Sequence, residues 1–407
     1  MSWRAVQAGV IVSMLLVAGC SAPPERFANL PQGRLPEVPP APPVVQSTSL
    51  EARPVESPAP PPRPAVDVPG TREVFTEPSP GQLATPQFEI EPEPSPAPAR
   101  TDEPVTPKAA VASSSVTDWV DFNGWLQQEG WSALHLVPAG KDQRHETDGP
   151  AGTLSMLVGQ RKAWWNGMQV WTGFPPRMEK GRLKVHRRDV ESHFAPLMKG
   201  QPAVTVPDRS IVIDAGHGGR NAGTRSIAGN RFEKEFTLDW AIRLQGILER
   251  RGWKVTMTRT NDVDLPLAER VAVADASGAA LFLSLHFNSA FPNRDAAGLE
   301  TYSVTPQGMA SHVVREFADE PGKAYPNNGH DDANLRLAVA VHRSMLATTG
   351  LQDRGVRRAR FMDVLRWQNR PSILVEGGYL SNPAEAARIQ QPEFRQKLAE
   401  AVAAALP

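Results

Sequence analysis

Two histidines and two glutamates carry the chemistry that this sequence could perform. His217, His286 and Glu376 each stand just after a short apolar run, and Glu233 opens a helical stretch. Two neutral imidazoles and one carboxylate give zinc a three-ligand site with an open fourth position. That position holds a water whose pKa falls to about 7 on zinc. A further carboxylate can accept its proton as general base and pass it to a leaving amine. Gly216, Gly218 and Gly219 around His217 keep that loop compact and let a substrate backbone approach. The four residues are spaced too widely to form a local motif such as HExxH. Two other readings stay open. Glu233 and Glu376 could be the acid and base of a glycosidase, which leaves both histidines unexplained. Each histidine could also be an ordinary hydrogen-bonding group at a strand end.

The elements that must position these groups follow from periodicity. Ile211–Ile213 is a buried-strand run leading to His217, and Ala280–Leu285 is another leading to His286. Ile373–Val375 leads to Glu376, while Val255–Thr258 and Leu299–Val304 read as two further strands. Trp240, Ala241, Leu244, Ile247 and Leu248 recur at helical spacing, with Gly252 where a C-terminal cap is expected. Pro266 is expected at the first position of a second helix that Gly278 closes. Leu335–Leu346 is predicted helical, Asn382-Pro-Ala-Glu385 reads as a helix start, and Phe394, Leu398, Val402 and Leu406 form the stripe of a last helix. Strands alternating with helices imply an α/β layered domain with a mostly parallel central sheet flanked by helices. Ligands in such sheets lie at the carboxyl ends of the strands.

Several segments together resemble the zinc-dependent N-acetylmuramoyl-L-alanine amidases of the amidase-3 type. They are Ile211-Val-Ile-Asp-Ala-Gly-His-Gly-Gly219, Phe232-Glu-Lys-Glu-Phe-Thr-Leu238, Thr258-Arg259 with Asp262 and Leu267-Ala-Glu-Arg270, Ser284-Leu-His-Phe-Asn-Ser289, Arg354-Gly-Val356 and Ile373-Leu-Val-Glu-Gly-Gly-Tyr-Leu-Ser-Asn382. They occur in family order over roughly residues 208–406. The resemblance implies Zn2+ held by His217, Glu233 and His286, with Glu376 as catalytic glutamate, and no other cofactor. It implies hydrolysis of the amide between N-acetylmuramic acid and L-alanine of the peptidoglycan stem peptide. Glu235 lies close enough to be confused with Glu233, but the Glu-Lys pairing and Leu238 favour Glu233 as the ligand. Ala215 stands where the family usually has Pro, and Asn221 where it often has Asp. Arg354 and Arg357, with Arg358 beside them, are candidates to bind substrate carboxylates, with a solvated basic face as the equal alternative. The polar stretch Pro306–Ala333 reads as a loop that shapes the groove, where some relatives carry a helix that blocks the zinc. A non-catalytic peptidoglycan-binding envelope lipoprotein is the alternative from another class. Such a protein could dispense with Glu376 or a ligand, yet all four residues are present.

The rest of the chain reads as a means of delivery. Arg4 precedes the short apolar run Ala8–Ala18, which is too short for a mature membrane span and has the form of an export signal. Val17-Ala18-Gly19-Cys20 resembles the bacterial lipobox, which implies a signal peptide over 1–19 and lipidation of Cys20. Ser21, by resemblance to enterobacterial lipoproteins, favours outer-membrane anchoring of an exported, periplasmic protein. Residues 20–115 form a Pro-rich linker: 24 of the 40 prolines lie between residues 21 and 110, so this stretch is expected to be a disordered tether. Residues 116–202 change to an aromatic-rich, β-rich character with Asn166-Gly167 as a hairpin signal, and resemble the copper amine oxidase N-terminal-like domain. That likeness does not imply copper. Residues 203–407 are then the catalytic domain. His135, His145, His186, His193, His312, His330 and His342 read as surface or packing groups. Lys+Arg and Asp+Glu are both 44, a balance that argues against nucleic acid as a partner. The expected partners are peptidoglycan and a membrane reached through the lipid, with a divisome-type regulator as a candidate. The single cysteine excludes an intramolecular disulfide framework.

Overall fold

The structure is a computed structural model that describes residues 118–139, 142–200, 203–313 and 319–407. The segments expected to be signal peptide and linker, with Cys20, lie outside the described residues. In chain order the small β-rich module contains β1 (Trp119–Asp121), α1 (Phe122–Gln128), β2 (His135–Ala139), β3 (Asp142–Gly149), β4 (Gly152–Met156), β5 (Lys162–Trp165), β6 (Met168–Trp171), β7 (Arg177–Glu179) and β8 (Arg182–His186). Helical turns α2 (Arg187–Asp189) and α3 (Ala195–Met198) close it. The larger module runs β9 (Ser210–Ala215), α4 (Glu233–Arg250), β10 (Lys254–Met257), α5 (Leu267–Ser277), β11 (Leu281–Asn288), β12 (Leu299–Ser303), α6 (Asp331–Thr349), β13 (Asp353–Arg358), α7 (Asp363–Arg366), β14 (Ser372–Tyr379), α8 (Pro383–Gln390) and α9 (Pro392–Ala405). Among the described residues no helix is long and apolar enough to cross a membrane.

The central strands run in the order β10-β9-β11-β14-β12-β13. β10, β9, β11 and β14 are mutually parallel, and every residue of β9 and β14 is buried. Burial on both faces explains why these strands are continuous apolar runs instead of alternating ones. β12 departs from the parallel expectation and runs antiparallel to β14, with β13 parallel to β12. Residues 289–298 join β11 to β12 without a helix. Such a connection is too short to carry the chain back to the start of a parallel strand, which takes a crossover of a dozen residues or more. The sheet is therefore mixed.

The alternation of side chains sorts the sheet into two faces. Ile211, Ile213, Leu283, Leu285, Phe287, Ile373 and Val375 pack with α4, α6 and α9. Val212, Phe282, Tyr302 and Leu374 pack on the other side with Ala274 of α5 and Leu365 of α7. His286, Glu376 and Glu300 share the parity of Phe282, Leu374 and Tyr302, so they project on the α5 side. They are also register neighbours across the sheet: His286 pairs with Glu376, and Glu376 with Glu300.

Helix ends follow local chemistry. Gly278 and Gly350 close α5 and α6 in the left-handed conformation that glycine adopts without strain. Asn382 caps α8 by accepting from the backbone N–H groups of Ala384 and Glu385. Pro266 is the cap residue of α5 and not its first helical residue. Asn166 and Gly167 both have positive φ, as the tight hairpin between β5 and β6 requires. Beyond it, β6 pairs in parallel with β13 through Val170 and Val356, so one eleven-stranded sheet runs through both modules.

One buried ion pair ties β9 to α5. Asp214 is 1% exposed and Arg270 3%, and their charged atoms are 2.7 Å apart. Thr258 and Ser284 each donate a hydroxyl hydrogen bond to the same carboxylate at 2.7 Å. Burial opposes the charge of Asp214, but Arg270 and these donors outweigh it and hold the carboxyl below its usual range. Asp214→Ala leaves Arg270 buried without its counter-ion and should cost about 3–5 kcal/mol of unfolding free energy in urea titrations. Replacing both members with apolar residues should cost less. A loss below about 1 kcal/mol for Asp214→Ala would contradict this role.

Candidate metal centre

Three of the four sequence-derived residues converge at the carboxyl end of the sheet. His217, Glu233 and His286 each offer a ligand atom, and these atoms all lie within 4.8 Å of one another. His217 Nε2 is 3.0 Å and His286 Nδ1 is 3.1 Å from Glu233 Oε1. Zinc bonds of about 2.0–2.2 Å in tetrahedral geometry separate ligand atoms by roughly 3.3 Å, so this donor set fits zinc in type and in spacing. Glu233 Oε1 also accepts from the Phe287 N–H at 3.0 Å, and Oε2 from the Thr224 N–H at 3.1 Å. A carboxylate engaged on both oxygens suits a ligand. It suits a glycosidase acid or base poorly, because that role needs an oxygen free to exchange a proton with substrate. Glu235 is elsewhere: it accepts from the Phe232 N–H and pairs with Arg231, which closes the first turn of α4.

His217 sits at φ 61°, a left-handed conformation that a non-glycine residue adopts only when its surroundings impose it. Two guanidiniums impose it here. Arg259 donates to the carbonyls of Ala215 and Gly216, and Arg270 to those of Ala215 and His217, at 2.7–2.9 Å. Lys234 reaches the Gly219 carbonyl at 2.8 Å and pairs with Asp262, whose other oxygen accepts from the Gly219 N–H. The Thr258-Arg259, Asp262 and Arg270 motif residues are thus the frame of the His217 loop. His217 Nδ1 lies 2.8 Å from Asn221 Oδ1, which keeps a proton on Nδ1 and leaves Nε2, the nitrogen that faces Glu233, as the one a metal would take. Asn221 performs this orienting role as a neutral amide. A Cβ at Gly216 would lie 2.4 Å from the His286 ring, so only glycine lets that imidazole approach.

Glu376 is buried and flanks His286 on the next strand. Gly377 and Gly378 follow for separate reasons. A Cβ on Gly377 would meet Trp240 at 2.9 Å, and Gly378 has φ 122°. The register slips there, so Asn288 pairs with Tyr379, and this irregularity turns Tyr379 toward Glu300.

Glu300 was not singled out by the sequence. It is buried, and it accepts from Arg354 Nε at 2.8 Å, Tyr379 OH at 3.0 Å, Asn288 Nδ2 at 3.0 Å and Tyr302 OH at 2.6 Å. Arg357 Nη1 is 3.5 Å away. Burial opposes its ionisation, but Arg357, Arg354 and these donors overcome that and bring its pKa down to about 2. Arg354 and Arg357, expected to bind a substrate carboxylate, therefore hold an internal one. Its only signal in the sequence was an acidic residue inside an apolar strand run, Leu299–Val304.

The described part of the stretch Pro306–Ala333 is not at the metal centre. Since β12 runs against β11 and β14, the chain leaves it at the opposite end of the sheet. The described part stays there, with Asn327 bonded to the carbonyls of Gln368 and Arg370. It also leans on the small module: Arg161 donates to the Ala310 carbonyl, Arg188 to that of Gln307, and His312 Nε2 lies 2.8 Å from the Thr172 carbonyl. The expectation that this loop shapes the groove fails because of the direction of one strand. His342 bridges Thr301 and Asp353, and His193 lies beside buried Asp189, both as packing groups. A second grouping, His135, Glu146 and Asp148, lies on the outer strands β2 and β3 and is solvent-exposed or half-buried.

Burial depresses the pKa of His217, but Glu233, through charge and hydrogen bond, with Asn221 and Glu376, raises it overall to about 9. A metal must displace that proton. Zinc uptake by chelator-stripped protein should therefore release protons, and the apparent affinity should climb from pH 6 to 9. In the stripped protein, the stabilisation from this raised pKa is complete below about 6.5 and is lost as pH rises through about 9. Isothermal titration in buffers of different ionisation heat checks the first point. In the same assay Glu233→Gln should lose zinc. Glu235→Gln should keep it and cost only about 1 kcal/mol of stability, as for a lost helix cap. Equal zinc binding by both variants would contradict the ligand assignment.

Residues 211–407 match the family described as N-acetylmuramoyl-L-alanine amidase. AmiC of Escherichia coli, an N-acetylmuramoyl-L-alanine amidase, is 31% identical over 245 residues, covering 54% of this chain and 58% of that protein. AmiA of Escherichia coli, described with the same activity, is 31% identical over 48% of this chain and 74% of its own length. The solved catalytic domain of CwlV, an N-acetylmuramoyl-L-alanine amidase from Bacillus (Paenibacillus) polymyxa var. colistinus, is 31% identical, with 48% of this chain and 95% of that chain covered and a TM-score of 0.40.

Proposed function

The chain belongs to the N-acetylmuramoyl-L-alanine amidase family, and on that premise we propose that it hydrolyses the amide between N-acetylmuramic acid and L-alanine of peptidoglycan. The observation that supports this reading best is the convergence of His217, Glu233 and His286 beside Glu376 at the strand ends. These three residues would hold zinc, which when bound polarises a carbonyl and lowers the pKa of water. Asn221 fixes the tautomer of His217, and the two backbone N–H groups fix the carboxylate of Glu233. Glu376 takes a proton from the attacking water on a carboxylate oxygen and delivers it to the amine of the departing L-alanine. Arg354 and Arg357 bring two positive charges against the single charge of Glu300. In this reading, the excess charge favours an anionic stem peptide near Glu376. The enzyme would be an exported lipoprotein anchored through Cys20 on the outer membrane, with the Pro-rich linker as tether and a divisome-type regulator as partner.

Purified sacculi test the chemistry. Wild-type protein should release stem peptides that begin with L-alanine, detected by mass spectrometry, and a chelator should stop it. Glu376→Gln should lower the rate by at least about a hundredfold, as for loss of a general acid–base group, with zinc content unchanged. New reducing sugar ends in place of free stem peptides would instead identify a glycosidase.

A further inference from the structure

The mouth of the metal centre carries an exposed aromatic ring on a fixed base. Phe291 lies in the segment 289–298 that follows β11, on the same end of the sheet as His286 and Glu376, and it is 56% exposed. It stands five positions beyond His286, so the two Cα atoms are at most about 18 Å apart. The backbone beneath is pinned at several points. The Ala290 N–H donates to Ser381 Oγ at 2.9 Å, the Asn293 N–H closes a turn onto the Ala290 carbonyl at 2.8 Å, and Asn382 Nδ2 reaches the Arg294 carbonyl at 3.0 Å. Ala290 and Ala296 pack with Tyr379, which is itself bonded to Glu300. Ser381 and Asn382 belong to the segment just after Glu376, so the turn that presents Phe291 is tied to the strand carrying the proposed proton carrier.

A single exposed apolar residue is ordinary on a protein surface. This one differs in place and in company. Val263 and Leu267, 40% and 49% exposed, stand in the loop after β10 and at the start of α5. That is the opposite flank of the same opening, because β10 and β12 lie on opposite sides of β9, β11 and β14. The carbonyl of Val263 would touch a Cβ at Gly218, next to His217, which places that flank directly against the loop of the metal centre. Exposed apolar side chains thus stand among polar ones, Asp262 and Asp264 on one rim and Asn293 and Arg294 on the other. A sugar ring matches such a rim: its C–H face is apolar and weakly positive, its edge is polar, and the face of a phenyl ring is negative.

We propose that Phe291 is a substrate-binding platform on which a pyranose ring of the peptidoglycan glycan strand stacks. The inference rests on the amidase reading for its substrate, and it adds the half of the substrate that the Phe291 rim receives. The pinned turn fixes the backbone that carries the ring, so little backbone entropy is lost when the sugar docks.

Two measurements on the full chain test it. In turnover, Phe291→Ala should raise the peptidoglycan concentration for half-maximal rate about three- to tenfold, with kcat within twofold and zinc content and melting temperature unchanged. Phe291→Trp should restore the wild-type value. In binding, co-sedimentation with peptide-free glycan strands should weaken by a similar factor in Phe291→Ala, with no reliance on catalysis. An unchanged half-saturation or unchanged glycan binding overturns the proposal, as does a loss that appears only with free stem peptides. If wild-type protein releases no stem peptide at all, the amidase reading fails, while the glycan-binding comparison still decides on Phe291.

Discussion

A histidine in the left-handed region must be held there, and the fold devotes two buried arginines to this. Arg259 and Arg270 grip the carbonyls of residues 215–217, so the chain leaving β9 turns sharply and aims His217 at Glu233. Arg270 can be buried because Asp214 neutralises it within the sheet. Without that pair, the guanidinium would be too costly to desolvate and the loop carbonyls would lose their donors. The position of one proposed metal ligand therefore depends on a buried ion pair.

Asp214, Glu233 and Glu300 are buried carboxylates near this end of the sheet, and each has its own cations or donors. Asp214 has Arg270, Glu233 has two imidazoles, and Glu300 has Arg354 and Arg357. Glu300 and Glu376 are directly opposed on adjacent strands, a register that would be destabilised by like charge if Glu300 were bare. The arginine pair on β13 removes that penalty. Trp171 of the small module then stacks on Arg357 at 4.6 Å and donates its ring N–H to the Arg354 carbonyl at 3.2 Å. The β-rich module thus bears on the geometry beside Glu376 through the edge of the sheet it extends.

Much of this was legible in the sequence because burial on both faces writes strands as unbroken apolar runs. Ile211–Ile213, Ala280–Leu285 and Ile373–Val375 announced their strands, and the residues after them are those that meet in space. Sequence periodicity could not show the direction of β12. Direction depends on the length of the connection before it and on which neighbour is left unpaired. For the same reason the stretch after β12 read as part of the groove although it emerges at the other end. β13 went unseen because Asp353-Arg-Gly-Val-Arg-Arg358 is a polar string whose charges are satisfied only by partners on other elements, Glu300 and His342 among them. β2 and β3 were equally hidden, since outer strands need no apolar run.

Glu300 shows where such reading stops. An acidic residue in an apolar strand run signals that something must neutralise it, but not what. Its partners come from β11, β12, β13 and β14, so only the assembled sheet identifies them. The converse holds for His217, Glu233 and His286, whose residue types already limit the chemistry to a few alternatives and whose partners are one another. Such a candidate set can be read from sequence because its members share one chemistry. Supporting networks cannot, because each member is chosen by a different neighbour. The register slip at Gly378 illustrates this: two glycines that look like loop punctuation are there to admit Trp240 on one face and to turn Tyr379 toward Glu300 on the other.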